Sequence, residues 1–173
     1  MTDVNKTQHY SKNELLLDGL SDLIPLEANI IEPFYGRGDL VRNFEVKEFY
    51  DIAFPEGLPQ CRDTLLSPPS YKGKWVITNP PYLAKNKAKD KMIFNKYPYD
   101  DLYKIALSTM LEAEGGILVI PLNFFTDEKS KEIRNLFLSK FWVLRLNVYL
   151  TQMFDETAYN VCSFAFKRQE NDD

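Results

Sequence analysis

Residues Asn79-Pro80-Pro81-Tyr82 follow an apolar run, Trp75-Val76-Ile77-Thr78, that reads as a buried strand. An Asn side-chain carbonyl and a prolyl backbone carbonyl can both accept hydrogen bonds from a single NH2 group. Prolines hold φ at about −65° and carry no N–H, so the carbonyls of such a turn are free to point outward. Tyr82 adds a flat face on which a planar base can stack. These are the parts needed to hold the exocyclic amine of a base in front of a methyl donor. The same residues also suit an ordinary loop, because Pro-Pro after a strand is common punctuation. The chemical reading gains weight from a second element, Glu32-Pro33-Phe34-Tyr35-Gly36-Arg37-Gly38, which also follows a short apolar strand.

Other residues carry both a chemical and a structural reading. Gly36 and Gly38 could let a ligand approach the backbone at a helix N-terminus, and they could equally serve a tight turn. Asp51, at the end of a second strand, could accept from a ribose diol or cap a helix. Asp63 could accept from an adenine amino group or cap a turn. Lys85, Lys87, Lys89 and Lys91 recur every second residue just after the Pro-Pro turn. They read as a phosphate-contacting flap or as a solvated loop.

The elements that must position these residues alternate along the chain. Asn13 to Leu23 has helical spacing, Asn29 to Glu32 is a first strand, and Asp39 to Phe44 starts a helix after the glycine turn. Val46 to Ala53 is a second strand that ends near Asp51, and Lys74 to Thr78 feeds Asn79. Asp100 to Glu112 is a helix that Gly115-Gly116 ends, and Ile117 to Ile120 is a central strand. Glu128 to Lys140 is helical, and Phe141 to Tyr149 with Tyr159 to Phe166 forms a closing strand pair. Such alternation predicts an α/β fold, a mostly parallel sheet with helices on both faces and an antiparallel last strand.

At 173 residues the chain suits one domain with a sizeable core. No apolar run is long enough to span a bilayer, and Met1-Thr2-Asp3-Val4-Asn5 lacks the order of a secretory signal. The expectation is a cytoplasmic protein without a membrane. Cys61 and Cys162 have no metal-ligand or redox spacing and read as free core thiols. The single His9 excludes most histidine triads and His-rich metal sites, so no metal is expected. A net charge of −4 argues against gripping nucleic acid over the whole surface, which leaves a local patch as the only route.

Together these elements resemble the S-adenosylmethionine-dependent methyltransferases that modify adenine N6 in DNA. The likeness runs from about residue 7 to about residue 168. His9-Tyr10-Ser11-Lys12 resembles motif X, Glu32 to Gly38 motif I, Asp51-Ile52 motif II, Asp63 motif III and Asn79 to Tyr82 motif IV. Phe154 stands where motif VIII places an aromatic residue on the flipped base. The resemblance implies a Rossmann-like class I methyltransferase domain over residues 1–173 with a seven-stranded sheet. It implies S-adenosylmethionine as cofactor, bound by Tyr10, Ser11, Glu32, Pro33, Phe34, Gly36, Gly38, Asp51, Ile52, Asp63 and Asn79. Asn79, Pro80, Pro81 and Tyr82 would form the catalytic turn, Tyr82 and Phe154 would stack on the base, and the four lysines would meet the DNA backbone. A role in DNA methylation of the restriction-modification kind follows.

The sequence also departs from that pattern. Ser11-Lys12 stands where motif X has Thr-Pro, and no room is left for a target-recognition domain. The motif order is similar to the gamma arrangement, in which that domain follows the catalytic one. Sequence recognition is therefore expected from a second chain or a further C-terminal domain. The chain by itself is expected to bind DNA weakly, with strong salt dependence, through the loop from Leu83 to Tyr99. Two alternatives stay open. One is a methyltransferase of RNA bases or of protein glutamine, which shares Asn-Pro-Pro-Tyr but usually carries a different motif I. The other is a non-catalytic, cofactor-binding subunit of a modification complex.

Overall fold

A single sheet gathers the apolar runs. The computed structural model describes residues 12–149 and 160–170. Its strands are β1 (Ile30–Glu32), β2 (Val46–Phe49), β3 (Trp75–Thr78), β4 (Gly115–Pro121), β5 (Phe141–Val148) and β6 (Val161–Arg168). Their spatial order is β2-β1-β3-β4-β6-β5. The first four run parallel, and β6 is antiparallel to both of its neighbours.

Side chains along the central strands alternate between two cores, as the two-residue period of a strand requires. Ile31, Val76, Leu118, Ile120, Phe164 and Phe166 face one side. There they meet α3 (Leu102–Thr109), α4 (Asn123–Thr126) and α5 (Lys131–Leu138) through Ile105, Leu107, Phe124, Ile133 and Phe137. Ile30, Ile77, Ile117, Val119 and Ala165 face the other side, toward Leu16, Leu20, Ile24 and Val41. Leu16 lies on α1, the helical stretch over residues 12–17. A short helix, α2 (Met92–Lys96), sits in the segment after the Pro-Pro turn. Among the described residues, no helix is long and apolar enough to cross a membrane.

Several expectations need correction. Six strands are described where seven are expected. Beyond β2 only an isolated bridge forms, between Asp51 and Cys61, because Pro55, Gly57 and Pro59 leave too short an uninterrupted stretch to pair. No helix follows the glycine turn, since residues 39–44 form turns closed by Phe44 N–H on the Val41 carbonyl. Gly115 and Gly116 do not end a helix but open β4. A Cβ on Gly116 would lie 1.8 Å from the Val76 carbonyl oxygen, and its φ of +155° is one that side chains disfavour. The close β3–β4 approach therefore needs glycine there. The Asn13–Leu23 helix breaks at Gly19 (φ +67°), after which Ser21–Leu23 is a 3-10 turn. Cys61 is half-buried at the sheet edge rather than in the core; Cys162 is buried, and burial pushes its thiol up to about 12.

Candidate active site

The chain order reverses across the β1–β3 pair, so the carboxyl ends of those strands form the place where open α/β sheets bind ligands. A cavity of about 520 Å³ opens there, within the range of small-molecule sites. Pro33 and Phe34 enter it from β1, Asp51 and Ile52 from β2, and Asn79 and Pro81 from β3. Asp63 reaches it from the loop between β2 and β3. Seven of the expected site residues thus share one wall system, although they span residues 33 to 81 of the sequence.

The glycine turn is tied to the second strand. Tyr35 N–H donates to the Tyr50 carbonyl at 2.9 Å and Tyr50 N–H to that of Glu32 at 3.0 Å, which extends the β1–β2 ladder past the strand ends. Asp51 completes the tie, its Oδ2 accepting from Gly36 N–H at 2.7 Å and its Oδ1 from Ala53 N–H at 2.8 Å. A carboxylate has about four lone-pair sites, so each oxygen can still accept from a ligand hydroxyl. Gly36 and Gly38 have φ of +55° and +73°, and a Cβ on Gly38 would strike the Tyr35 ring at 2.5 Å. The glycines therefore shape the turn; they do not line the cavity.

Asp63 uses Oδ1 alone to cap its own loop, accepting from Leu65 N–H at 3.0 Å and Leu66 N–H at 3.1 Å. Its Oδ2 accepts no hydrogen bond among the described residues, so an acceptor remains at the cavity wall.

Glu32 lies behind the wall. It is buried, and its Oε1 accepts from Phe34 N–H at 2.8 Å and from the Thr78 hydroxyl. It therefore joins the start of the glycine turn to the residue before Asn79. Burial pushes its carboxyl up to about 8, outweighing the lowering effect of those hydrogen bonds, and the Asp51 charge pushes the same way. An unfolded Glu titrates near 4.5, so between those values the folded chain holds a proton that the unfolded chain releases. Stability from this group is complete below the unfolded value and falls as pH rises toward about 8. Glu32→Gln is expected to flatten that slope, and melting curves at pH 4 and pH 8 should show the variant gaining on the wild type at the higher pH.

Pro80 and Tyr82 do not line the cavity. Pro80 is buried, and among the described residues nothing donates to its carbonyl. The Tyr82 hydroxyl lies 2.8 Å from the Val119 carbonyl and also within hydrogen-bonding reach of Asn79 Oδ1. Burial raises its pKa well above the usual phenol value, so it remains a donor. Its ring meets Tyr103 edge-on, with centroids 6.2 Å apart. Tyr10, Ser11 and Phe154 lie outside the described residues.

The remaining walls come from residues that sequence reasoning passed over. Arg62, Thr64, Leu65 and Leu66 flank Asp63, and Asp90, Met92, Ile93 and Phe94 line the cavity together with Leu83 and Leu102. The segment from Leu83 to Tyr99 is therefore not a spare loop. Lys96 Nζ donates to the Leu66 carbonyl at 2.8 Å and the Tyr97 hydroxyl to that of Leu65 at 3.0 Å, so it straps across the cavity. The apolar triplet Met92-Ile93-Phe94 inside a lysine-rich stretch was the available signal. Lys85, Lys87, Lys89 and Lys91 are exposed on this strap and form no ion pair among the described residues.

No protein-family profile matches the sequence, and no characterised protein matches it by sequence. Solved structures do. A Listeria monocytogenes protein assigned to the class I S-adenosylmethionine-dependent methyltransferases superposes with a TM-score of 0.61 at 9% identity, over 95% of this chain and 59% of that one. A Vibrio vulnificus protein assigned as the modification subunit of a type I restriction enzyme also gives 0.61, at 14% identity, over 91% of this chain and 43% of that one. The chain thus spans about half the length of the solved proteins it matches. What is shared at such identities is the fold, a mixed α/β sheet.

Proposed function

We propose that this chain is an S-adenosylmethionine-dependent methyltransferase acting on the N6 amino group of adenine in DNA. The observation that carries the reading is the position of Asn79-Pro80-Pro81-Tyr82. The turn leaves β3 at the switch point, with Asn79 and Pro81 on the same cavity as Asp51 and Asp63. The residues present fit the cofactor. Phe34, Ile52, Leu65 and Ile93 offer apolar walls for a base, while Asp51 and Asp63 keep lone pairs for a ribose diol and an amino group. When bound, S-adenosylmethionine supplies a methyl group already activated on a sulfonium, so the chain must orient and exclude water rather than provide a nucleophile.

Asn79 Oδ1 and the Pro80 carbonyl would accept the two amine hydrogens of the flipped adenine. That aligns the nitrogen lone pair for in-line displacement. Stacking on Tyr82 would offset part of the few kcal/mol that flipping costs. It requires the ring to turn from its packing against Tyr103 and the hydroxyl to leave Asn79. The exposed lysines of the strap would contact phosphates, with sequence recognition supplied by another chain or domain.

One observation favours a second reading, a non-catalytic cofactor-binding subunit: the Asn79 oxygen that must accept from the amine is already engaged by Tyr82. Transfer of tritiated methyl groups to DNA, RNA and protein, with and without cell extract, separates these readings. Label at adenine N6 is expected. Label in RNA bases or glutamine would move the substrate, and cofactor binding with no transfer to any acceptor would favour the subunit.

Each phosphate contact contributes about −0.9 to the slope of log affinity against log salt. Replacing Lys85, Lys87, Lys89 and Lys91 by alanine is expected to remove most of that slope in fluorescence-anisotropy titrations with a DNA oligomer. A slope unchanged in the variant would place the phosphate contacts elsewhere.

A further inference from the structure

We propose that Asp101 is a positioning residue for the Asn79–Tyr82 turn, holding its downstream end through the backbone of Leu83. The inference rests on the methyltransferase reading above. Pro80 and Pro81 have no N–H, so the turn cannot brace itself with backbone hydrogen bonds at its centre. Besides the Tyr82 hydroxyl, which reaches Val119 and Asn79, its backbone is held from its flanks. Upstream, the hydroxyl of Thr78 is held by Glu32. Downstream, Asp101 Oδ1 accepts from Leu83 N–H at 3.0 Å.

Asp101 also caps α3, the same oxygen accepting from Tyr103 N–H at 3.3 Å. Capping needs only that second bond; the bond to Leu83, 18 positions earlier in the sequence, does nothing for α3. It fastens the turn to the helix. Leu102 N–H donates to the Leu83 carbonyl at 3.1 Å and Lys85 N–H to that of Asp100 at 2.8 Å, so residues 83–85 run paired along residues 100–102. Tyr103, two positions on, presents its ring edge to Tyr82. Asp101 as a residue is only 5% exposed, so water competes poorly for these bonds. A transfer that demands in-line alignment loses rate steeply when the acceptor's supports loosen.

Asp101→Ser separates positioning from capping. Serine is a good N-cap and should keep Tyr103 N–H satisfied, but its side chain is one atom shorter and does not reach Leu83. The variant is expected to melt close to wild type and to bind S-adenosylmethionine with unchanged affinity, while kcat for methyl transfer falls about tenfold. Amide exchange at Leu83, followed by NMR, should accelerate at the same time, with Val119 in β4 still protected. Asp101→Asn keeps the acceptor oxygen and should restore both kcat and the protection of Leu83. A folded Asp101→Ser variant with wild-type kcat, or with Leu83 exchange unchanged, would overturn the proposal, and so would an Asn variant as impaired as the Ser variant. If the wild type transfers no methyl group to any acceptor, the methyltransferase reading fails, and Leu83 exchange still decides whether Asp101 anchors the turn.

Discussion

Asn79→Ala is expected to lower methyl transfer at least about a hundredfold while leaving S-adenosylmethionine affinity nearly unchanged, the signature of a group that acts on the acceptor. The alanine removes the side-chain carbonyl that would hold one hydrogen of the amine, and only the Pro80 carbonyl is left. An amine held at one point rotates, and in-line attack is then populated only part of the time. The fold should tolerate the change. Asn79 is half-buried at the end of β3, and the Tyr82 hydroxyl that reaches it also lies 2.8 Å from the Val119 carbonyl. Single-turnover transfer with saturating cofactor, beside a calorimetric titration, checks both halves of the expectation. Wild-type transfer by this variant would rule out the amine-holding mechanism.

Asp51→Ala should weaken S-adenosylmethionine binding by about 1.5–3 kcal/mol, the value of hydrogen bonds to a charged group. That is roughly ten- to 150-fold in Kd at about 1.4 kcal/mol per tenfold. Two losses combine. The ligand loses a carboxylate acceptor, and Gly36 and Ala53 lose the oxygens that fix the glycine turn to the end of β2. Asp51→Asn keeps an acceptor for the turn and loses the charge, so an intermediate affinity for it would apportion the two. Gly36 N–H is exposed and can turn to water, so the melting temperature should move little. A well-folded wild-type chain that binds no S-adenosylmethionine would sink the assignment of this cavity.

The strands were legible because their signal is local. Trp75-Val76-Ile77-Thr78 and Ile117-Leu118-Val119-Ile120 are continuous apolar runs, and each is buried on both faces of the sheet. The helix expected at Asp39–Phe44 was an inference from what usually follows a glycine turn, and six residues of weak pattern do not oblige a helix to nucleate. Gly115-Gly116 misled for the opposite reason. Glycines next to a helical pattern look like its stop, yet their function is to let β4 approach the Val76 carbonyl, a contact across 40 positions that no local window contains.

The site divides along the same line. The family resemblance carried by the motifs after the strands grouped Pro33, Phe34, Asp51, Ile52, Asp63, Asn79 and Pro81, and these seven share the cavity. The lysine comb was also visible, as alternating charge. What only the tertiary structure decided is how those residues are held and what closes over them. Glu32 proved to be a buried tie to Thr78 and not a wall of the cavity, since its burial depends on strands brought together from residues 30 and 75. Met92, Ile93 and Phe94 became walls because the strap is fastened to the carbonyls of Leu65 and Leu66. The Asp101–Leu83 bond likewise exists only once α3 docks beside the turn. Side-chain identity is written locally and survives in the one-dimensional text. Burial, cavity walls and the partner of a carboxylate depend on distances between segments far apart in sequence, and these exist only when the sheet has formed.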